Sequence, residues 1–222
     1  MTSKPNLAQD PRFLEFVERY ANDLPAFARD VCGLELAPDQ VEAYEAAQRP
    51  GGRVVISAFI AGLYEDDRQV SVLAPVALWH FFTRSKSTTV VVLPPGRRIC
   101  RRQYRDLLRR VHRRQYGWLC DGMRVSEERF YRSYEWQLIF RAVSAPEALC
   151  GYCAADLMWF VEAADQLGEK FYKVIQGSCR EQRNTIVLLA DQFESNGAPP
   201  EHAGGNWSVY PVNRAAVVQT PA

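Results

Sequence analysis

The chain has 222 residues, 47% of them hydrophobic, which suits one folded domain with a full core and excludes a disordered chain. Its formal net charge is +1, so the total charge predicts no general attraction to nucleic acid or to a membrane surface. No apolar run is long enough to span a bilayer, and the polar N-terminus lacks a signal-peptide core, so we expect a cytoplasmic protein without a membrane role.

Apolar spacing along the chain predicts helices that alternate with buried strands. The predicted elements, in order, are a helix over 12–31, a helix over 37–49 with Pro38 in its first turn, a strand over 53–60, a helix over 70–82 and a strand over 88–93. Residues 118–145 indicate two short strands or a hairpin. This alternation is typical of a largely parallel, helix-covered sheet.

A strongly basic helix follows the strand over 88–93 and is expected from Arg97 to Arg114. Ile99, Tyr104, Leu107, Leu108 and Val111 fit one buried face. The outer face is cationic and carries Arg97, Arg98, Arg101, Arg102, Arg105, Arg109, Arg110, Arg113 and Arg114. Such a face can bind DNA phosphates or an acidic protein surface, or it can simply be solvated. We favour binding, because Asp106 is the single acid that interrupts the run of arginines.

The segment from Leu157 to Ala190 predicts an apolar strand, an amphipathic helix and a second apolar strand. In a nucleotide-hydrolysing sheet the first strand would end in two acids, of which one holds Mg²⁺ and one activates water. Here the strand ends in Glu162, and Ala163 and Ala164 follow. The segment therefore suggests an ATPase scaffold without its catalytic pair of acids.

The loop after the strand over 53–60 lacks the residues that bind phosphate. A phosphate-binding loop combines glycines, whose backbone N–H groups point at the phosphates, with a lysine followed by serine or threonine. This loop has the single glycine Gly62 and no lysine, and it places Glu65, Asp66 and Asp67 where phosphate oxygens need donors. Each such acid would repel a phosphate by about 1 to 4 kcal/mol.

Several segments together resemble the ATPase domain of bacteriophage terminase large subunits, the motors that pump DNA into procapsids. They are SAPEALCGYCAADLMWFVEAADQLGEKFYKVIQGS with NTIVLLADQF, FARDVCGLELAPDQVEAYEAA, and TTVVVLPPGRRICRRQYRDLLRRVHRR. The resemblance runs from about Phe13 to Phe193. It implies an α/β fold with three layers and a mostly parallel sheet, similar to P-loop NTPases. We expect this domain over 1–193 and an irregular tail over 194–222, with a possible edge strand in 207–218.

The resemblance also assigns positions to a degenerate nucleotide site. Gln40 matches the glutamine that contacts adenine, although a polar residue near a helix start has the simpler role of a cap. Gln69 or a neighbour replaces the phosphate-loop lysine, Glu162 the metal-binding aspartate and Ala163 the catalytic glutamate, while the coupling position falls at Asp191. The chain ends where the nuclease domain of the family would begin. We therefore predict no catalytic residue and no cofactor.

Six cysteines are most simply reduced thiols, because cytosolic proteins rarely hold disulfides. Cys150 and Cys153 have the spacing of a redox motif or of half a zinc site. A second pair of this kind is absent and the three histidines are scattered, so we expect no metal site.

The favoured hypothesis is a non-catalytic pseudo-ATPase from a phage or prophage, which binds a protein partner or DNA. The partner would be a packaging component or a host factor, such as part of a defence system. One alternative is a divergent active packaging ATPase that completes its site with a lysine or arginine from another subunit, or with Arg68 or Arg84 in cis. Another is a nucleic-acid-binding module that uses the arginine-rich helix alone. The sequence leaves the oligomeric state open.

Overall fold

The computed structural model describes residues 7–58, 69–70, 73–93, 99–162, 164–191, 205–212 and 216–218, with the side chains of 69–70, 99–101, 191 and 216–218 left out. Its helices are α1 (Pro11–Tyr20), α2 (Leu24–Ala26), α3 (Pro38–Ala47), α4 (Leu73–Thr83), α5 (Ile99–Arg113) and α6 (Glu169–Ser178). Its strands are β1 (Leu34–Glu35), β2 (Arg53–Ala58), β3 (Gln69–Val70), β4 (Thr88–Leu93), β5 (Arg124–Val125), β6 (Arg129–Ser133), β7 (Trp136–Ala142), β8 (Leu157–Val161), β9 (Thr185–Asp191), β10 (Ser208–Val212) and β11 (Ala216–Val218).

Eight of these strands form the main sheet, in the order β10-β2-β9-β8-β4-β7-β6-β5. Every pairing from β10 to β7 is parallel. Strands β7, β6 and β5 pair antiparallel and extend the sheet at one edge. A separate small sheet has the order β1-β11-β3. The predicted α/β class with a mostly parallel, helix-covered sheet is therefore confirmed.

Two hydrophobic clusters cover the two faces of this sheet. Alternate residues of β8 divide between them, so that Met158 and Phe160 join the larger cluster and Trp159 joins the smaller one. The larger cluster includes the buried faces of α1 to α5, and the smaller one includes the buried face of α6. Because strands buried on both faces read as continuous apolar runs, β4 and β8 were recognisable from their residues.

The prediction of one helix over 12–31 is wrong, because the structure divides this segment into several elements. The helix α1 ends at Tyr20, and a second short helix starts after Asp23, whose Oδ1 accepts a hydrogen bond of 2.9 Å from the backbone N–H of Ala26. Pro25 occupies the first turn, where its missing N–H costs nothing. The chain then continues through a π-helical turn over Phe27–Val31. Local capping chemistry interrupts the helix here, although the apolar spacing continues.

The remaining predicted elements are present, but one helix starts later than expected, and residues 118–145 hold three strands where two were expected. The helix expected from Val70 begins at Leu73, and Val70 lies in β3, which pairs with β11. Residues 118–145 hold the strands β5 to β7, and the edge strand expected in 207–218 corresponds to β10. The end of the strand predicted over 53–60 lies outside the described residues. Within the described ranges, no helix has the length and apolar character needed to cross a membrane.

Candidate functional site at the carboxyl edge of the sheet

The parallel strands end together at one edge of the sheet, where ligands of open α/β folds usually bind. Strands β2 and β4 end there at Ala58 and Leu93, next to the ends of β8 and β9. The segments 59–68 and 94–98, which include the loop with Gly62, Glu65, Asp66 and Asp67, lie outside the described residues, as does Ala163. The described part of this edge therefore centres on Glu162.

Glu162 follows β8 directly and is 2% exposed. Its backbone N–H donates a hydrogen bond of 3.0 Å to the carbonyl of Val92, so the parallel pairing of β8 with β4 continues through it. Side chains alternate along a strand, and Glu162 therefore shares the face of Met158 and Phe160. That face is covered by α4 and α5, so the carboxylate points toward the arginine-rich helix rather than toward α6.

Tyr104 of α5 meets this carboxylate. Its hydroxyl donates a hydrogen bond of 3.0 Å to Glu162 Oε1, and the tyrosine itself is fully buried. A hydrogen bond between buried polar groups is electrostatically stronger where water is excluded. One carboxylate oxygen at the end of β8 thus accepts a hydrogen bond from a neighbouring helix.

Gln40 has a local structural contact. Its Oε1 accepts a hydrogen bond of 2.8 Å from the backbone N–H of Ala37, which caps the first turn of α3. The side chain is 1% exposed. This is the arrangement of a capping box, in which a side chain three residues into the helix satisfies a backbone donor at its start.

The two other degenerate positions are described only by their backbone. Gln69 pairs with Val217 in the small sheet, and Asp191 is the last residue of β9, next to Ala58 of β2. Asp191 therefore lies at the same edge of the sheet as Glu162. Gln69 lies in a strand, four residues before the described start of α4 at Leu73.

The arginine-rich helix has the predicted amphipathic arrangement. Tyr104, Leu107, Leu108 and Val111 are buried, as their spacing indicated. Arg97 and Arg98 lie outside the described residues, and the side chain of Arg101 is not described. The cationic face that the structure does describe includes Arg102, Arg105, Arg109 and Arg113.

The side chains on this face make mainly surface contacts. Asp106 lies between Arg102 at 3.5 Å and Arg109 at 2.7 Å, and these two arginine side chains are 79% and 68% exposed. Ion pairs this exposed contribute about 0 to 1 kcal/mol to stability, so Arg102 and Arg109 can exchange Asp106 for an anionic partner at small cost. Arg105 donates a hydrogen bond of 3.0 Å to the carbonyl of Ser126.

A buried polar cluster at the opposite edge of the sheet was missed by the sequence analysis. His80 Nδ1 lies 2.8 Å from Thr89 Oγ1, and its Nε2 lies 3.0 Å from Asp156 Oδ1. Arg183 approaches Asp156 Oδ2 at 3.4 Å. A histidine within the apolar helix LAPVALWHFFT was the available signal. The cluster joins α4 to the starts of β4 and β8, and its burial leaves Thr89 inaccessible, so we assign it a structural role.

Cys150 and Cys153 are both exposed and unbonded to each other. No group of three or more metal-ligating side chains occurs within the part of the chain that the structure describes. The pair precedes β8 at the start of a loop that also holds Tyr152, whose ring packs against Trp159 with 5.5 Å between centroids. The two thiols therefore lie on the surface beside an aromatic contact of the core.

Comparisons with known proteins add information on the fold. No protein-family model matches the chain, and no curated protein matches its sequence. Among solved structures, it is similar to an arginine-to-alanine mutant of the large terminase ATPase domain of Thermus phage P74-26. The identity is 11% and the TM-score 0.50, over 73% of this chain and 67% of that one.

Two structures of a large terminase from a thermophilic bacteriophage, one of them in complex with ADP, match less well. They are 12% identical, with TM-scores of 0.43 and 0.44 over 78% and 70% of this chain. This chain spans only 38% and 39% of their length. At such low identity the likeness concerns the fold alone. In that respect the resemblance inferred from the sequence is confirmed, and the chain has the α/β fold of a phage large terminase ATPase domain.

Proposed function

We propose that this protein is a non-catalytic, terminase-like pseudo-ATPase of phage or prophage origin that acts by binding. The hydrogen bond between Tyr104 and Glu162 is the observation that carries this proposal. A metal-binding carboxylate needs its oxygens directed at the ion, whereas Glu162 is buried and bound to a helix. The sequence supports the same conclusion, since it has alanine at 163 and three acids in place of a phosphate-binding loop.

The loss of these groups predicts a large loss of hydrolysis. An arginine that stabilises the transferred phosphoryl group is worth about 10³ to 10⁵ in rate, and a single hydrogen-bond donor in a catalytic site about 10² to 10³. A sheet without the loop lysine and the catalytic acid should therefore bind ATP weakly and hydrolyse it at no measurable rate. The protein would act in the host cytoplasm, on a packaging component or a host factor.

Calorimetric titration with ATP and Mg²⁺, together with a phosphate-release assay, tests this proposal. We expect no measurable heat of binding and no phosphate release. An active ATPase in the same buffer is the positive control. Glu162→Gln serves as the matched variant, because it removes the carboxylate with little change of shape. Micromolar binding with turnover in the wild type, abolished in Glu162→Gln, would overturn the proposal.

The same assay addresses a divergent ATPase that borrows a residue from a neighbouring subunit. Its specific activity would rise steeply with protein concentration, because the complete site would form only on association. A specific activity of zero at every protein concentration would exclude this alternative.

The cationic face of α5 supports a second candidate function, which is nucleic-acid binding. Arg102 and Arg109 are exposed on this face, within reach of a phosphate backbone. Affinity for duplex DNA should then fall steeply with salt. The double variant Arg101→Glu with Arg105→Glu should abolish it. Failure to bind DNA even at low salt removes this candidate.

A further inference from the structure

A groove of about 700 Å³ lies between α5 and the chain segment that leads through β5. One wall carries Arg105, Arg109 and Arg113 of the helix, and Leu108, Met123 and Val125 add apolar surface. The groove therefore offers apolar contact and positive charge side by side.

The apolar part of the groove is partly open to solvent. Val125 is 50% exposed and is one of the few large hydrophobic side chains described as exposed. Leu108 is buried beneath it in the core cluster, and Met123 packs half-buried against that cluster. An apolar side chain placed here would bury surface on both partners, at roughly 25 cal/mol per Å².

A hydrogen bond joins the two walls of the groove. Arg105 bridges from the helix to the carbonyl of Ser126, the residue directly after β5, at 3.0 Å. The backbone N–H of Ser126 donates a hydrogen bond of 2.9 Å to the carbonyl of Arg129, which closes the turn between β5 and β6. One exposed hydrogen bond thus joins the two walls in the absence of a partner.

Strand β5 adds a main-chain feature. It is the last strand of the main sheet among the residues that the structure describes, and it pairs on one side with β6. An edge strand presents backbone groups to which an extended peptide can add as a further strand. Both β5 residues are exposed, and Val125 lines the groove.

From these features we infer that the groove binds an extended, acidic peptide segment of a partner protein, with apolar side chains seated on Val125 and Met123 and carboxylates on Arg109 and Arg113. This inference rests on the proposed function, since it names the partner class of a protein that acts by binding.

The groove favours an acidic peptide over DNA for two reasons. A phosphate backbone has no apolar group to place on Val125 or Met123, whereas alternate side chains of an extended peptide supply both kinds of contact. Acidic residues also interrupt the surface: Asp106 pairs with two arginines of α5, and Glu127 lies on the opposite wall. These carboxylates would repel closely spaced phosphates but can be avoided by separated peptide carboxylates.

The probe is a fluorescent, end-blocked peptide of alternating leucine and glutamate, about eight residues long, titrated by fluorescence anisotropy at about 50 mM salt. We expect saturable binding to the wild type. A peptide of alternating leucine and lysine tests charge, and one of alternating serine and glutamate tests the apolar contact. Both should bind at least about fivefold more weakly.

The variants separate the two contacts. Arg109→Gln with Arg113→Gln should weaken the leucine–glutamate peptide by about tenfold or more, and Val125→Ser by about fivefold. The matched control is Lys170→Gln with Arg180→Gln, which removes the same charge from exposed positions on and just after α6, on the other face of the sheet. It should bind like the wild type. Unchanged thermal unfolding of each variant shows that it is folded.

Three outcomes would overturn the inference. They are no saturable binding to the wild type, equal weakening by the control pair, and tighter binding of a duplex of about 20 base pairs that depends on the arginines but not on Val125. The last outcome would assign the surface to nucleic acid. The titrations contain no nucleotide, so their failure leaves the ATP measurements intact, and ATP turnover would leave the peptide result intact.

Discussion

Tyr104 and Glu162 lie 58 positions apart in the chain, and a hydrogen bond of 3.0 Å joins their side chains. Both residues are buried. The bond joins the arginine-rich helix to the end of a central strand. It therefore links the cationic surface to the carboxyl edge of the sheet.

Removing the donor tests how much this bond contributes. Tyr104→Phe keeps the ring in the core but leaves Oε1 of Glu162 without this hydrogen bond, which should lower the free energy of unfolding by about 1 to 3 kcal/mol. Urea denaturation measures the change. Tyr134→Phe is the control, because Tyr134 is highly exposed and should change stability by less than about 0.5 kcal/mol.

A double-mutant cycle with Glu162→Leu, which removes the acceptor oxygen, then isolates the pair. A coupling energy above about 0.5 kcal/mol is expected for two residues in contact. Additive effects would show that the two side chains contribute independently, contrary to the geometry.

The buried His80 predicts a pH dependence of stability. Burial lowers the pKa of His80, and the opposing effect of Asp156 is too small to reverse this, while Arg84 and Arg183 lower it further. Burial acts to raise the pKa of Asp156, but the hydrogen bond and charge of His80, with Arg183 and Arg84, bring it below its usual value. Thr89, the remaining neighbour of the histidine ring, does not titrate.

The direction of this pH dependence follows from the difference in proton binding between the folded and unfolded states. A histidine whose folded pKa lies below its unfolded value of about 6.5 binds fewer protons in the native state, so its folded form is favoured above that pH. The free energy of unfolding should therefore fall as the pH drops below about 6.5. The lowered pKa of Asp156 adds a second loss of stability, which occurs only as the pH falls below about 4.

Urea midpoints between about pH 7.5 and 5 measure the histidine contribution. His80→Gln should flatten the dependence in this window, whereas His112→Gln, at an exposed position, should leave it unchanged. A dependence that survives in His80→Gln would show that another group is responsible.

The interrupted N-terminal helix makes a prediction about packing. The ring of Phe16 lies 5.0 Å from that of Tyr20 and 5.8 Å from that of Tyr116, between centroids, and contacts Phe27 and Trp118 as well. Phe16→Ala should cost about 3 to 5 kcal/mol, because it leaves a cavity among aromatic rings.

The control for this cavity lies on the same helix. Leu14 is 57% exposed, so Leu14→Ala should change the free energy of unfolding by less than about 0.5 kcal/mol. Thermal or urea unfolding of both variants compares the two sides of α1. Equal losses would mean that α1 does not present the face described here.

The exposed thiols predict a chemical reactivity. Cys150 and Cys153 should react rapidly with an aromatic disulfide reagent, whereas burial raises the pKa of the Cys32 thiol and shields it. Replacing both exposed cysteines by serine should remove two equivalents from the fast phase. Cys32→Ala should leave the fast phase as in the wild type, and a loss of fast equivalents in that variant would contradict the assignment.

Secondary-structure elements that depend on residues close together in the sequence could be predicted from the sequence. The runs VVIS, TTVVVL and LMWFV predicted the central strands because both faces of these strands are covered, and the spacing of Tyr104, Leu107, Leu108 and Val111 predicted the buried face of α5. The three-layer fold and its resemblance to a terminase ATPase domain were also predicted and are confirmed as a likeness of fold.

Only the tertiary structure decided which distant residues meet. Neither periodicity nor composition specifies that Tyr104 reaches Glu162, or that His80 reaches Asp156 across 76 positions, because such contacts depend on strand order and helix packing. The break after Tyr20 was missed for a different reason: a cap by Asp23 overrode an apolar spacing that continued through it. The sequence thus determined most of the helices and strands, and the packing of those elements determined which side chain contacts Glu162.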